Sequence, residues 1–239
     1  MKKKKILLLT TKTTHHFFFI NQISKICNLS IIFELKPYQP KFNTINSFEK
    51  KQNNYEKNKW FKNKDKIRSY QNLEFFNVNN INSKKTINYI KIKKPDIIFS
   101  FGISRLKKEY LNKIKKKIYN FHGGDTSFYR GLDSHLWSLY HNDVRGLKVT
   151  LHEVKDKLDT GNVILKEKLK INNLDKLYQL RSINTELCVK LAKKMISNSK
   201  IKKKPHKEAG RYYSFMPTLL KKTIEKKFKK KLEKIYGRS

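Results

Sequence analysis

The sequence predicts an α/β fold, in which a mostly parallel sheet carries helices on both faces and a small helical appendage follows at the C-terminus. Compact apolar runs, such as those at 5–10 and 96–101, alternate along the chain with segments of helical periodicity. The runs are apolar throughout rather than at every second position, which is typical of strands buried on both faces of a parallel sheet. The chain of 239 residues is long enough for one such domain.

These patterns place the individual strands and helices in chain order. Strands are predicted at 5–10, 29–35, 73–78, 96–101, 118–121, 148–154 and 162–171. Helices are predicted at 16–27, 83–94, 107–116, 134–141 and 174–196, and a last one opens at Pro217. The stretch 36–70, rich in Lys and Asn, predicts no definite element. Active sites of such sheets lie beyond the carboxyl ends of the strands, so that edge is where we expect the chemistry.

The N-terminus imitates a secretion signal without reaching its length. Consecutive lysines precede an apolar run that stops at Thr10, short of the roughly 7–15 residues that such a signal needs. No apolar run approaches the ~20 residues that span a bilayer. The two cysteines, Cys27 and Cys188, lack metal-ligand spacing. We therefore expect a cytoplasmic protein with reduced thiols, no transmembrane segment and no bound metal.

The formal net charge of +37 would suit binding to a nucleic acid or to an anionic membrane surface. Lysine supplies most of this charge, whereas proteins that bind phosphate usually rely more on arginine. The excess is also uneven, because residues 119–165 hold five Lys or Arg against six Asp or Glu. We interpret the lysines as a solvated surface, with a dedicated nucleic-acid face as the alternative.

Polar side chains gather where the predicted strand at 118–121 ends. Asn120 and His122 are two residues apart, so their side chains point to the same side of a strand. Gly123 and Gly124 follow and allow a sharp turn with close approach of a ligand. Asp159 lies in a turn after a later strand that can return to the same edge. An amide, an imidazole and a carboxylate together can stabilise an oxyanion and move protons.

No activated serine or cysteine accompanies these residues in the sequence. Their chemistry therefore points to acyl transfer onto an external nucleophile, without a covalent enzyme intermediate. The alternative is purely structural, because a capped strand end with a hydrogen-bonded histidine shows the same Asn-x-His pattern. Both interpretations stay open on the residues alone.

The polar residues belong to an ordered series of motifs. These are Asn-Phe-His-Gly-Gly at 120–124, Tyr-Arg-Gly at 129–131, Trp137, Val-Thr-Leu-His at 149–152 and Leu-Asp-Thr-Gly-Asn-Val-Ile-Leu at 158–165. The series resembles the folate-dependent formyltransferase family over about residues 95–171. The resemblance implies a Rossmann-like catalytic domain, predicted at 1–200. Residues 201–239 are then predicted to form a basic tail with an amphipathic helix.

The resemblance also implies a reaction and a role for each polar residue. Members of the family pass the formyl group of N10-formyltetrahydrofolate to an amine. By this likeness Asn120 would bond the formyl oxygen and His122 would stabilise the tetrahedral oxyanion. Asp159 would keep His122 charged and help to remove the proton of the attacking amine.

Two binding surfaces are implied by the same likeness. The folate donor would lie between the backbone of a loop after the strand at 96–101 and a second wall after the strand at 148–154. The residues of these two segments are Phe101, Gly102, Ser104, Arg105, Leu106, Val154, Asp156 and Leu158. The amine acceptor would lie near Gly123, Gly124, Tyr129 and Arg130. For Phe101 and Leu106, ordinary packing in the core is an equal alternative.

Departures from the family pattern narrow the acceptor to a small molecule. The run Gly-Gly-Asp-Thr-Ser stands where tRNA-directed members carry Ser-Leu-Leu-Pro, and no glycine-rich phosphate loop follows the first strand. We expect a nucleotide-linked amino sugar, and Tyr212-Tyr213 resembles a segment of sugar-modifying members. A homodimer is compatible with the sequence.

Two alternatives follow from the basic tail. The first is a methionyl-tRNA formyltransferase-like enzyme that lacks the usual C-terminal domain and binds tRNA, with a steep dependence on salt. The second is a non-catalytic protein whose helix at Leu220–Ile235 lies on an anionic membrane. The competing interpretation of that helix is that it docks on the core of the protein itself.

Overall fold

The computed structural model describes residues 3–38, 42, 47–62, 70–198, 201, 204–205 and 208–236. The strands are β1 Lys5–Thr10, β2 Asn28–Glu34, β3 Glu74–Val78, β4 Ile97–Phe101, β5 Ile118–His122, β6 Tyr129–Gly131, β7 Lys148–Glu153, β8 Val163–Lys168 and β9 Arg211–Tyr213. The helices are α1 Thr14–Ile23, α2 Ser47–Trp60, α3 Lys84–Lys93, α4 Lys108–Lys113, α5 Ser134–Tyr140, α6 Leu180–Ser197, α7 Thr218–Lys226 and α8 Phe228–Tyr236. Across these ranges no helix is long and apolar enough to cross a membrane.

The main sheet has seven strands in the order β3-β2-β1-β4-β5-β7-β8. The five strands from β3 to β5 run parallel, and β7 and β8 complete the sheet as antiparallel neighbours. A separate two-stranded sheet pairs β6 with β9. The predicted α/β fold with a mostly parallel sheet is therefore confirmed.

The central strand β1 shows why helices cover both faces of the sheet. Ile6 and Leu8 pack into the larger hydrophobic core, whereas Leu7 and Leu9 pack into the smaller one. Successive side chains of a strand point to opposite faces, so a run that is apolar throughout needs a cover on each side. The helices α1 and α6 contribute to the larger core and α3 to the smaller one.

Helix α3 begins and ends where its sequence signals place the boundaries. The hydroxyl of Ser83 accepts a hydrogen bond from the backbone N–H of Thr86, which caps the first turn. Lys94 adopts the left-handed conformation with φ of 44°, and Pro95 follows. This helix delivers the chain into β4, whose carboxyl end borders the candidate site.

The structure differs from the sequence prediction mainly in three helices. Helix α2 lies within 36–70, where no element was predicted, and Arg181 of α6 bonds its fully buried Glu56 through two hydrogen bonds. Helix α4 is shorter than predicted, and the predicted final helix is broken at Lys227 into α7 and α8. Tertiary contacts of this kind are not visible in local propensity.

The C-terminal helices pack on the same core as the catalytic segment. Ile224, Phe228 and Leu232 are buried in the larger core. Lys221 is 4% exposed and forms ion pairs with Glu49 and Asp133. The apolar face that a membrane-surface helix would need is thus covered by the protein itself, which overturns that alternative in favour of docking. The boundary at residue 200 stays a prediction.

Candidate active site

The carboxyl ends of β4 and β5 bring the first two polar residues together. Ser100 of β4 is paired in register with Asn120 of β5, and its hydroxyl donates to Asn120 Oδ1 at 3.0 Å. Across the antiparallel pair, Asn120 lies opposite His152 of β7, with 3.3 Å between Asn120 Nδ2 and His152 Nε2. The hydroxyl of Ser100 therefore fixes the amide so that its NH₂ group faces His152.

Asp159 returns to this edge through the turn between β7 and β8. Its backbone is in the left-handed region with φ of 53°. A Cβ at Gly161 would lie 1.7 Å from the carbonyl oxygen of Glu153, so only glycine permits this close turn. The carboxylate lies between two histidines, with Oδ2 3.5 Å from His122 Nδ1 and Oδ1 3.2 Å from His152 Nε2. The backbone N–H of Gly131 donates to Oδ2 at 2.8 Å.

Backbone carbonyls orient both imidazole rings toward Asp159. His122 Nε2 lies 2.8 Å from the carbonyl oxygen of Tyr129, and His152 Nδ1 lies 2.8 Å from that of Glu153. A carbonyl oxygen only accepts, so each of these nitrogens must carry the proton. The other nitrogen of each ring faces the carboxylate and is the one that can gain or lose a proton.

The carboxylate of Asp159 is held in its ionised form. It is 7% exposed, and this burial alone would raise its pKa. The charge of His122, the hydrogen bond and charge of His152 and the N–H of Gly131 outweigh burial and hold the pKa well below its usual value. The cluster therefore holds a buried anion between two imidazole rings.

A cavity of about 70 Å³ opens beside this cluster. It is lined by Ser100, Ile103, Ser104, Arg105, Leu106, Asn120, His152, Val154, Lys155, Leu158 and Asp159. One wall comes from the loop after β4 and the other from the segment after β7. Arg105 joins the walls by donating to the carbonyl oxygen of Asp156 at 2.7 Å and pairing with its carboxylate at 3.4 Å.

Several predicted site residues lie elsewhere in the structure. Phe101 does not line the cavity, because it is buried in the larger core against Phe19 and Phe121. Gly102 also lies outside the lining, with a φ of 72°, and a Cβ there would come within 2.4 Å of the ring of His16. The side chain of Phe101 therefore packs in the core, and contact of its backbone with the donor stays a prediction. His122 likewise does not line this cavity.

Two polar side chains that were not predicted from the sequence, the buried Glu34 and the half-buried Asn82, hold the cavity loop. Glu34, 2% exposed, accepts hydrogen bonds from the backbone N–H groups of Ser104 at 2.7 Å and Ile81 at 3.0 Å. Asn82 donates to the carbonyl oxygen of Arg105 and accepts from the N–H of Lys107. The wall after β4 is thus fixed before any ligand binds.

The residues predicted to bind the acceptor lie on the His122 side of Asp159. A Cβ at Gly124 would lie 2.6 Å from His122 Nε2, so glycine gives the ring its space. The side chain of Tyr129 is 4% exposed, and its hydroxyl donates to Asp143. Tyr129 therefore contributes its backbone carbonyl, and its ring is unavailable to a ligand. Arg130 bonds two backbone carbonyls of the protein.

The cysteines take no part in this arrangement. Both Cys27 and Cys188 are free and buried. Burial raises the pKa of the Cys27 thiol to about 12 and raises that of Cys188 further. Neither thiol is poised as a nucleophile at neutral pH, in keeping with transfer onto an external group.

Comparison with known proteins assigns the chain to a family. The sequence model of the formyl transferase family matches residues 24–191, which is more than half of the chain. The chain belongs to the formyl transferase family. The matched range holds every residue of the Asn120, His122, His152 and Asp159 cluster.

Two curated proteins are similar to this family member over part of its length. A bifunctional polymyxin resistance protein ArnA from Wigglesworthia glossinidia brevipalpis is 35% identical over 117 residues, 48% of this chain and 17% of the relative. A methionyl-tRNA formyltransferase from Finegoldia magna is 33% identical over 96 residues, 39% of this chain and 30% of the relative. The matches thus span less than a third of these relatives.

Solved structures of formyltransferases share the fold at low sequence identity. A 4-N formyltransferase from Francisella tularensis has a TM-score of 0.57 and 19% identity, covering 88% of this chain and 76% of its own. The formyltransferase PseJ from Anoxybacillus kamchatkensis, in complex with UDP-4,6-dideoxy-4-formamido-L-AltNAc and tetrahydrofolate, has a TM-score of 0.50 and 19% identity, covering 97% of both chains. HypX from Aquifex aeolicus in complex with tetrahydrofolic acid has a TM-score of 0.54 and 17% identity, covering 92% of this chain and 31% of its own.

Proposed function

We propose that this protein transfers a formyl group from N10-formyltetrahydrofolate to the amine of a nucleotide-linked amino sugar. The observation that carries the proposal is the buried carboxylate of Asp159, held between His122 and His152 beside a cavity that also presents Asn120. This arrangement supplies an amide donor and two imidazoles that can exchange protons, without a nucleophile of its own.

The cavity suits the flat ring system of a folate. Ile103, Leu106, Val154 and Leu158 give it apolar walls, and Asn120 lies among its polar lining residues. When bound, the donor supplies a formyl carbon attached to N10. Solved structures of two proteins with this fold contain tetrahydrofolate, which supports a folate donor.

The cavity is narrow because its two walls are tied together by an exposed contact. Its volume of about 70 Å³ is small beside the roughly 300 Å³ or more of typical ligand pockets. The side chains of Arg105 and Asp156 are 53% and 50% exposed. An exposed ion pair of this kind contributes about 1 kcal/mol or less to stability. Binding of the donor can therefore separate the walls at a small cost in free energy.

The amide of Asn120 is oriented to hold the formyl oxygen. Its Oδ1 accepts from the Ser100 hydroxyl, which leaves the Nδ2 protons for the cavity and for His152. A donor fixed before the reaction stabilises negative charge on that oxygen without reorganisation. Ser100 thus contributes to the reaction by orienting the amide of Asn120.

The two histidines give the proton a route from one side of Asp159 to the other. His122, whose Nδ1 faces Asp159 and whose ring borders Gly124, is the nearer base for the attacking amine. His152 Nε2 lines the donor cavity and holds a proton there when the ring is charged. Asp159 stabilises either imidazolium, so a proton taken up at His122 and one released at His152 leave the total charge of the cluster unchanged.

A panel of amines tests the proposed acceptor. The purified protein is incubated with N10-formyltetrahydrofolate and, separately, with nucleotide-linked amino sugars, glycinamide ribonucleotide and methionyl-tRNA. Release of tetrahydrofolate and the mass of the formylated product are measured. We expect formylation of an amino sugar on its nucleotide carrier. Formylation of methionyl-tRNA alone would refute the sugar acceptor, and no folate turnover with any amine would refute the whole proposal.

A further inference from the structure

Strand β6 delivers two backbone groups to the catalytic cluster. The carbonyl oxygen of Tyr129 lies 2.8 Å from His122 Nε2 and fixes the tautomer of that ring. The N–H of Gly131 donates to Asp159 Oδ2 at 2.8 Å. Three residues of backbone thus orient both the imidazole and the carboxylate.

Strand β6 is held by the C-terminal tail. It pairs in parallel with β9, with Tyr129 opposite Arg211 and Gly131 opposite Tyr213. The N–H of Leu132 extends the pairing by donating to the carbonyl oxygen of Tyr213 at 2.9 Å. Within the described ranges, β9 is the only strand that pairs with β6.

One side chain fastens the tail to the turn that carries Asp159. The guanidinium of Arg130 donates through Nε to the carbonyl oxygen of Gly210 and through Nη1 to that of Leu158, the latter at 3.0 Å. Gly210 directly precedes β9, and Leu158 directly precedes Asp159. Arg130 is itself in β6, so it joins three segments at one point.

The backbone of the tail lies so close to Gly131 and Phe128 that no side chain fits between them. Gly131 has a φ of 89°, and a Cβ there would lie 2.1 Å from the carbonyl oxygen of Tyr213. A Cβ at Gly210 would lie 2.3 Å from the backbone of Phe128. Both glycines permit the backbone contact that Arg130 closes.

We propose that Arg130 is a positioning residue for formyl transfer and that β9, from the C-terminal tail, is a structural part of the catalytic centre. The inference rests on the proposed function. Removal of the guanidinium leaves the carbonyls of Gly210 and Leu158 without their donor. Strand β6 can then separate from β9, and the groups that orient His122 and Asp159 move with it. A displacement of about 1 Å in a catalytic group costs about 100-fold in rate.

Kinetics of three variants test this role. Arg130→Ala removes both contacts and Arg130→Lys can keep only one of them, whereas Lys190→Ala removes an exposed cation of α6, paired with Glu167, as the control. We expect kcat to fall about 100-fold in Arg130→Ala and by an intermediate factor in Arg130→Lys, with the KM for the folate donor within about threefold. Lys190→Ala should stay within about twofold of the parent protein. Methylguanidinium added to Arg130→Ala should restore part of the lost rate.

The outcomes separate positioning from general destabilisation. Thermal unfolding is recorded for each variant, and if Arg130→Ala does not fold, Arg130→Lys carries the comparison. A kcat for the Arg130 variants equal to that of Lys190→Ala overturns the proposal, and so does an effect confined to the donor KM. Restored activity with methylguanidinium supports it, since a merely unfolded fraction would not recover.

Nuclear magnetic resonance of the imidazoles tests the positioning without any turnover. Long-range proton–nitrogen spectra of the parent protein should show His122 with its proton on Nε2. In Arg130→Ala we expect a mixture of tautomers, because the Tyr129 carbonyl no longer lies at a fixed distance. An unchanged His122 spectrum would overturn the positioning role. If the parent protein transfers no formyl group, this experiment still decides the structural claim separately from the proposed function.

Discussion

The carboxylate of Asp159 lies 3.2 Å from the Nε2 of His152, a histidine that also faces the amide of Asn120. The ring thus has two neighbours that favour opposite states. Asp159 favours a protonated Nε2, whereas the Asn120 NH₂ group favours a bare one. Proton transfer at His152 is therefore coupled to the hydrogen bonds that Asn120 has free for a ligand.

Replacing Asp159 by Asn should remove proton exchange in the cluster. The amide keeps the size of the side chain and its acceptor for Gly131, but it stabilises neither imidazolium. We expect kcat to fall by about 10²–10⁴-fold, the usual contribution of general acid–base catalysis. Steady-state transfer assays and equilibrium binding of tetrahydrofolate measure the two effects. The control is Asp175→Asn, which changes a surface carboxylate paired with Lys229. Activity within about threefold of that control would refute the role.

Replacing His122 by Ala should abolish transfer and leave donor binding nearly intact. His122 does not line the donor cavity, so its loss leaves the walls of that cavity unchanged. The expected loss in kcat is again about 10²–10⁴-fold, because the nearer base for the amine is gone. Stopped-flow or calorimetric binding of tetrahydrofolate checks the second half of the expectation. Retained turnover would contradict the assignment of His122.

Replacing His152 by Ala should lower the rate of transfer. The ring is 2% exposed, lines the donor cavity and lies 3.2 Å from Asp159 Oδ1. Without it, the departing N10 of the donor loses the group proposed to give it a proton, and kcat should fall by about 10²-fold. Steady-state transfer assays at a saturating donor concentration measure this. A kcat within about threefold of that of the parent would show that His152 acts only in packing.

Replacing Glu34 by Gln should weaken donor binding more than catalysis. The two carboxylate oxygens accept from Ser104 and Ile81, and an amide can accept at only one position while its NH₂ group opposes the other N–H. An unpaired buried N–H costs about 1–3 kcal/mol, so the loop should loosen and the donor KM should rise about tenfold. We expect kcat within about threefold. Glu74→Gln, at an exposed carboxylate, is the control. An equal KM in both variants would contradict the prediction.

The buried His16 should make the protein sensitive to mild acid. Burial lowers the pKa of His16 to about 3, against about 6.5 in an unfolded chain. A lowered folded pKa stabilises the protein above pH 6.5, and this contribution is lost as the pH falls from there towards 3. In that window the free energy of unfolding of the parent should fall by about 1.4 kcal/mol per pH unit relative to His16→Gln. Urea unfolding at several pH values measures it. Parallel curves for the two proteins would refute the prediction.

Much of the fold can be predicted from the sequence, because the pattern of each strand or helix has a local physical cause. The seven strands of the main sheet were placed within a few residues, since fully apolar runs need burial on both faces. The short strands β6 and β9 were not predicted. The cap formed by Ser83 sets the beginning of α3, and Pro95 sets its end. Helix α2 was missed because the contact that holds it, between Arg181 and Glu56, joins residues far apart in the chain.

The part of the candidate site that lies on a single strand could be predicted from the sequence. Asn120 and His122 lie two residues apart on β5, so their side chains point to the same side of the strand. Asn120 contacts His152, and His122 faces Asp159. The position of His152 depends on the antiparallel pairing of β5 with β7, which local pattern does not specify. Glu34 was missed for the same reason, because its partners come from other loops.

The pairing of Asn120 with His152 also limits how the length of this chain can vary during evolution. Side chains alternate along a strand, so inserting or deleting one residue within β7 ahead of His152 would turn its ring to the opposite face of the sheet. Length changes in surface turns such as the one between α4 and β5, where residues 115–117 are exposed, leave that register untouched. Descendants of this sequence should therefore gain and lose residues outside β5 and β7 while these two strands keep their lengths.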